Sequence, residues 1–406
     1  MKNRLLTKLL NLPGVIVEES QETEDTLILF VKAENKTADC PRCGQTSRRL
    51  HQNKRYLVKD LPIGNREVIL SVNRRRLRLE HCQKPFSESL DFVPRKKSFT
   101  HRYAESITQQ VVHSDIKNVA NNNGLTAEEV ESMVIYFTKS MLPIDMSNLR
   151  FLGIDEISLV KGQGKFIVVL VDLATHKLIG LVPARKQTEI ERVMRQWGEK
   201  VLAQIEEVSI DMTGNYKSLI HKICPNAEVT VDRFHVVKMV HEELNQARID
   251  QKKTAEELNI KARAKLFSSL KGSKYTLLKA ENKLSPKQKE KLEQVKGASP
   301  LVEIMHSLKE ELHQIFEESE NLGEGTLKLL DWLAIAQNYY RKSVPTIKRW
   351  FAEIVGYFEN RTTNGIVEEI NNKLKLLKRC GFGFRNFRNF ELRALLFWHF
   401  PNNLAQ

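Results

Sequence analysis

No stretch of this 406-residue chain approaches the roughly 18 consecutive apolar residues that a membrane-crossing helix needs. The longest candidate, Phe166 to Val171, reads instead as a buried strand. Met1 to Leu10 mixes Lys and Arg with Leu but has neither the apolar core nor the small-residue cleavage site of a secretory leader. A cytoplasmic protein is therefore expected. Cysteine is scarce, at five residues, and apart from Cys40 and Cys43 it is scattered, which excludes a disulfide framework. There is no internal repeat and no low-complexity tract. With 41% hydrophobic residues the chain has enough apolar material for two or three folded domains.

What is plentiful is positive charge. Lys plus Arg number 64 against 50 for Asp plus Glu, a formal net charge of +14, which favours a polyanionic partner such as nucleic acid over a merely soluble basic protein. Arg74, Arg75, Arg76 and Arg78 form one cluster, followed by Arg95, Lys96, Lys97 and Arg102, and such clusters suit phosphate contact.

The first ~100 residues predict a small β-rich module, with strands at Thr26 to Val31 and Glu67 to Val72 between turn-rich segments. Cys40-Pro-Arg-Cys43-Gly has the form of a zinc knuckle, with Cys82 and either His51 or His81 as further ligands; two unrelated reduced cysteines are the alternative. Residues 104–141 read as helices. Within them Ile116 to Val130 has the cadence of a helix-turn-helix, with Gly124 in the turn, Thr126 and Glu129 as a capping box, and Val130 and Met133 in the core. An ordinary helical hairpin would show the same pattern.

Beyond Ser147 the pattern becomes strands at Arg150 to Asp155, Lys165 to Asp172 and Leu178 to Pro183, then a helix through Ile190, Val193, Met194, Trp197 and Val201. A strand Glu207 to Asp211, a helix Tyr216 to Ile223 and a strand Glu228 to Asp232 follow. This β-β-β-α-β-α-β order is the ribonuclease-H-like arrangement, in which acids at the ends of the first and fourth strands converge. A Lys- and Glu-rich helical stretch then runs from about His235 to Phe358, with Lys279 to Lys296 as a solvated helix pair; a loop at Tyr357 to Gly365 precedes a last helix from about Ile366.

Asp155 and Asp211 each follow an apolar run and so are expected where a strand leaves the core. Three acids from separate elements suit two divalent ions about 4 Å apart, which activate water and stabilise a leaving oxygen in phosphodiester cleavage. In the last helix Val367, Ile370, Leu374 and Leu377 form the apolar stripe. Glu368 shares a flank with Asn371, Asn372, Lys375 and Arg379, whereas Glu369 is set to pair with Lys373 at i,i+4. Glu368 is therefore the third acid of choice. Asp232 and His235 read as an N-cap aspartate with a satisfied histidine, or as a DNA-positioning or metal-supporting pair. After the helix, Lys378 to Phe390 interleaves basic and aromatic residues, suited either to a distorted DNA end or, through Phe384, Phe387 and Phe390, to core packing.

These segments resemble the ISL-three family of insertion-sequence transposases over nearly the whole chain. The resemblance is carried by Leu152-Gly-Ile-Asp-Glu156, Ser209-Ile-Asp-Met212, Val231-Asp-Arg-Phe-His-Val236 and Thr363 to Lys373, with the early Cys pair, the Arg cluster and the helix-turn-helix in family order. It implies that Asp155, Asp211 and Glu368 form a DDE triad holding two Mg2+ or Mn2+ ions. It implies also a zinc-ribbon-like domain holding one Zn2+ through Cys40, Cys43 and Cys82. Two departures stand out: the family's Glu-Gly is here Glu368-Glu369, and its second cysteine pair is here Leu79 and Cys82.

The expected architecture is multidomain α+β. A zinc-ribbon-like DNA-binding domain spans 1–100 and a helix-turn-helix 101–147. A ribonuclease-H-like domain, a mixed sheet with helices, covers 148–406 and carries a helical insertion at about 240–355. The expected function is binding of terminal inverted repeats, metal-dependent cleavage and 3-prime-end strand transfer, by a homodimer on DNA and so at the nucleoid. Arg74, Arg75, Arg76, Arg78, Lys375 and Arg379 are the expected DNA contacts. A catalytically inactive, transposase-derived DNA-binding regulator is the alternative, and a related nuclease or Holliday-junction enzyme a third option.

Overall fold

A computed structural model of the chain describes residues 2–80, 82, 84–141, 144–158, 166–255, 260–361, 365–380 and 387–400. They divide into two compact units, residues 1–143 with 379–406, and residues 144–378.

The first unit opens with helix α1 (Lys2–Leu10), strands β1 (Val15–Glu22) and β2 (Thr26–Ala33), and a short ribbon of β3 (Ala38–Asp39) and β4 (Thr46–Ser47). Strands β5 (Leu50–Ile63), β6 (Arg66–Leu77) and β7 (Phe86–Ser87) complete it. The main sheet has the order β1-β2-β6-β5, with β7 on β6. Two of its strands, β1 and β5, and helix α1 were not expected from the sequence, because their exposed residues break the apolar alternation: the first six residues of β5 all face solvent. The turn from β5 to β6 closes through Gly64 at φ +63, a conformation a side chain disfavours.

Helices α2 (His101–His113), α3 (Ile116–Asn122) and α4 (Ala127–Met141) follow. The predicted punctuation forms as written: Gly124 turns at φ +61, Glu129 N–H donates to Thr126 Oγ1 at 3.2 Å, and Thr126 N–H donates to Glu129 Oε2 at 2.9 Å. Such a box is worth about 1 kcal/mol. Val130 and Met133 are fully buried.

The second unit is built on a sheet of β8 (Phe151–Ser158), β9 (Phe166–Asp172), β10 (Lys177–Val182), β11 (Glu207–Ile210) and β12 (Glu228–Val231). Its order is β10-β9-β8-β11-β12; the first three strands are antiparallel neighbours, and β11 runs parallel to both β8 and β12. Between β10 and β11 the single expected helix is two, α5 (Gln187–Arg195) and α6 (Glu199–Gln204), because the chain breaks at Gly198 with φ +90. Helix α7 (Gly214–Ile223) links β11 to β12. Asp155 is not at the end of its strand as expected; it is fifth of eight residues in β8, opposite Val169, because the β8–β9 pairing continues to Ser158.

A helical array follows: α8 (Arg233–Thr254), α9 (Ile260–Leu270), α10 (Lys274–Leu278), α11 (Pro286–Lys296), α12 (Pro300–Glu318), α13 (Leu322–Ala336), α14 (Ser343–Arg349), α15 (Phe351–Val355) and α16 (Tyr357–Asn360). Its core has Trp332 and Tyr340 fully buried, each donating its polar tip to an α12 carbonyl, Leu308 O at 2.7 Å and Met305 O at 2.5 Å. Lys279 to Lys296 is one capped helix preceded by a 3-10 turn rather than a solvated pair, and Leu292 and Val295 anchor it.

Helix α17 (Gly365–Cys380) then buries Val367, Ile370, Leu374 and Leu377, the stripe read from the sequence. The last helix, α18 (Phe387–His399), departs from the expected domain boundary: it joins the α2–α4 core through Leu396 and through Phe400 just past its end, which stacks on Phe137 at 5.2 Å. Its apolar face matches that bundle, and Phe390 is fully buried, which favours the packing role over DNA contact there. Phe384 lies outside the described residues.

Gly153 in β8 lets α17 approach the sheet. A Cβ there would sit 2.8 Å from both Leu173 Cδ2 and Val367 Cγ2, whereas at Gly180 the nearest atom would be 3.4 Å away. Gly153→Ala is therefore expected to lose about 1–3 kcal/mol by overpacking, with Gly180→Ala changing much less, as thermal unfolding of the two variants would measure.

Candidate active site

Three thiols meet in the first unit. Cys40 Sγ lies 3.8 Å from Cys82 Sγ, and Cys82 Sγ lies 3.5 Å from Cys43 Sγ. Tetrahedral zinc with Zn–S bonds of about 2.3 Å sets its sulfurs about 3.8 Å apart, so the spacing fits the ion. The backbone N–H of Arg42 points at Cys40 and lowers its thiol to about 7, favouring the thiolate that zinc binds. His51 is exposed on β5 and outside this group; His81 lies outside the described residues. Leu79, which stands where the resembled family has a cysteine, packs beside Cys40, Leu77 and Phe86. The group supports a structural zinc site.

Arg74, Arg75 and Arg76 lie on β6 and Arg78 just past its end; Lys54 pairs with Arg74 and Gln52 with Arg76 across the ribbon. The members of this cluster differ. Arg75 is committed inside the domain: its guanidinium grips buried Glu88 at 2.5 Å and Asn35 O at 2.6 Å, holding the segment after β7 against β6. Arg76 and Arg78 are exposed and Arg74 half-buried. In the second cluster Arg102 is likewise held, by buried Asp60 at 2.5 Å, while Arg95 and Lys96 are exposed.

The second unit gathers the acids. Gly153 of β8 pairs with Ser209 of β11, and Asp155 and Asp211 each stand two residues past that rung, on neighbouring parallel strands. His235, in the first turn of α8, bridges them: Nδ1 is 3.5 Å from Asp211 Oδ1 and Nε2 is 3.9 Å from Asp155 Oδ1. Asp232 caps that helix, accepting from Phe234 N–H at 3.1 Å, and its Oδ2 is 3.9 Å from His235 Nε2. The N-cap was expected; the histidine's seat between the two aspartates was not the favoured expectation. The signal lay in Asp232-x-x-His235 directly after a buried strand.

Asp155 receives Glu156 N–H at 2.7 Å on Oδ1 and Asn371 Nδ2 at 2.6 Å on Oδ2. Burial pushes its carboxyl above the ordinary range, and the neighbouring Asp211 charge adds to that, while the hydrogen bonds and His235 work against it. Among the described residues no Lys or Arg ion-pairs with Asp155 or Asp211. Adjacent Glu156 has a different fate, held by Arg185 at 2.6 Å and by the Tyr216 hydroxyl.

Glu368 is exposed in the first turn of α17, one turn before Asn371 and directly after Val367 on Gly153. It makes no ion pair among the described residues, whereas Glu369 pairs with Lys373 at 2.7 Å as the spacing predicts. Among the described residues only the three thiols form a group of three such donors all within 4.8 Å of one another; the acids with His235 are set more widely than that. Carboxylate oxygens with no Lys or Arg paired to the two aspartates, and a histidine beside them, are donors of the kind divalent magnesium or manganese accepts. Lys375 and Arg379 are exposed on the same helix.

Residues 152–394 match the family described as "Transposase", residues 36–82 the "zinc-finger of transposase IS204/IS1001/IS1096/IS1165", and residues 88–137 the "Helix-turn-helix domain of transposase family ISL3". The transposase for insertion sequence element IS1001 of Bordetella parapertussis is 27% identical over 420 residues, covering 99% of either chain. That for IS1557 of Mycobacterium tuberculosis is 29% identical over 263 residues, covering 59% of this chain and 58% of its own. No helix among the described residues is long and apolar enough to cross a membrane.

Two outcomes are expected. Denaturing the purified chain with a thiol reagent should release about one zinc ion per chain, as a colorimetric chelator reads it, and Cys43→Ser should lose that zinc and melt earlier. In chelator, Asp155→Asn should melt above the wild type at neutral pH. The raised carboxyl pKa means the native state holds its proton more tightly than the unfolded chain, so wild-type stability falls as pH rises from the ordinary carboxylate range through the raised value. The difference should close at acid pH; melting curves across pH that put the wild type higher at neutrality would refute the desolvation account.

Proposed function

The chain belongs to the ISL3 family of transposases, and on that footing we propose that it binds the terminal inverted repeats of a mobile element, hydrolyses a phosphodiester at each end and joins the freed 3-prime ends to target DNA. Asp155, Asp211 and Glu368 are the proposed catalytic acids. The observation that carries this is the Asn371–Asp155 hydrogen bond of 2.6 Å, which ties the flank of α17 bearing Glu368 to the strand bearing Asp155. Side chains three apart on a helix are neighbours, so Glu368 comes from the same flank.

The strand order β10-β9-β8-β11-β12, with the array α8–α16 before α17, supports a ribonuclease-H-like domain carrying a helical insertion. When bound, a pair of Mg2+ or Mn2+ ions supplies an activated water and charge stabilisation at the leaving oxygen. The chain's own part is to hold the three carboxylates aimed, with His235 lodged between the aspartates. A DNA strand reaching them meets Lys375 and Arg379 on α17. Arg74, Arg76 and Arg78 on the β6 side and the α2–α4 bundle are proposed to grip the element ends; Arg75, already held by Glu88, contributes structure instead. Cutting two ends in concert requires two active sites, hence a homodimer on DNA, associated with the nucleoid.

The alternative, a regulator that binds DNA without cutting it, is disfavoured by an acidic centre whose aspartates have no Lys or Arg paired to them among the described residues and only His235 beside them. With purified protein and labelled element ends, alanine at Asp155, Asp211 or Glu368 is expected to abolish metal-dependent cleavage while end binding persists. Glu369→Ala should still cut. Normal cleavage by one of the three would remove that residue from the centre, and a wild type that binds ends but never cleaves would favour the regulator.

A further inference from the structure

Asn371 is buried to 4% exposure in a helix whose neighbouring flank is polar and open. Its Nδ2 donates to Asp155 Oδ2 at 2.6 Å, yet its own Oδ1, equally enclosed, has no hydrogen-bond partner among the described residues. A merely structural amide would satisfy both ends, since a buried acceptor without a donor is costly and an apolar side chain of the same size would avoid the cost. The other oxygen of Asp155 takes Glu156 N–H, so the two hydrogen bonds together fix the carboxylate's plane. The amide is itself fixed, because Val367 one turn earlier is wedged against Gly153 and Ile370 beside it is buried.

We propose that Asn371 is a positioning residue for the acidic centre: its Nδ2–H locks the Asp155 carboxylate in the orientation that receives a divalent cation. This rests on the acidic centre being a cation site. The assignment makes Asn371 act through Asp155, by the logic that groups hydrogen-bonded to a metal's carboxylate ligand set its orientation and basicity.

The test uses the full chain and Mn2+ as probe, without DNA, read by electron paramagnetic resonance titration. Asn371→Leu removes the donor at nearly constant volume. It should keep its melting temperature in chelator, weaken Mn2+ binding about tenfold or more, and shift cleavage of labelled ends to correspondingly higher Mn2+. Asn371→Ala, measured in parallel, should show the same loss of affinity should the leucine fit poorly. Wild-type Mn2+ affinity and an unshifted metal requirement in whichever variant stays folded would overturn the proposal. Asp155→Asn separates the two levels: if it too binds Mn2+ like the wild type, the acidic centre is not the cation site and both readings fail; if it loses Mn2+ while the Asn371 variants keep it, only the role of Asn371 is lost.

Discussion

Strand β8 touches β11 over a short parallel seam, Phe151 with Glu207, Leu152 with Val208 and Gly153 with Ser209, and the acidic centre depends on that seam. Parallel pairing sends both strands out at the same edge of the sheet, so acids at equal offsets past one rung emerge side by side. An antiparallel neighbour would have sent the second acid to the opposite edge. The rung nearest the acids is also the one lacking a side chain, at Gly153, and there α17 seats Val367. One position thus serves two purposes, aligning two strands and admitting a helix.

How much of this the sequence discloses varies with the kind of signal. Strands buried on both faces, such as β9 and β10, are nearly continuous apolar runs and were legible, as were the α17 stripe and the capping box before α4. The long hairpin strand β5 was not, because its outer half is solvated and its residues carry no period-2 contrast. Asp155 was found, but its position inside β8 depends on how far β9 pairs, a non-local property. Glu88 claiming Arg75, and Asp60 claiming Arg102, are likewise partners 13 and 42 residues away that no local pattern reveals.

Charge in the second unit is sorted by neighbours rather than by residue type. Glu156 and Asp155 are adjacent in sequence, yet Arg185 pairs with the first and the Tyr216 hydroxyl donates to it, while the second is half-buried near another aspartate and a histidine. Holding like charges close in a partly dry setting costs stability. The hydrophobic core beneath, shared by the sheet and the helical array, is large enough to carry that cost.

The helical array α8–α16 lies in sequence between Asp211 and α17, so the ribosome finishes the whole sheet and the whole array before it makes Glu368. At about 5–20 residues per second, the sheet with its two aspartates exists for many seconds during which α17 is not yet available. A nascent or prematurely terminated chain lacking α17 has neither Glu368 nor the amide that braces Asp155. Translation order therefore leaves the Asn371–Asp155 contact until after the sheet and the array, the last of these parts to come together.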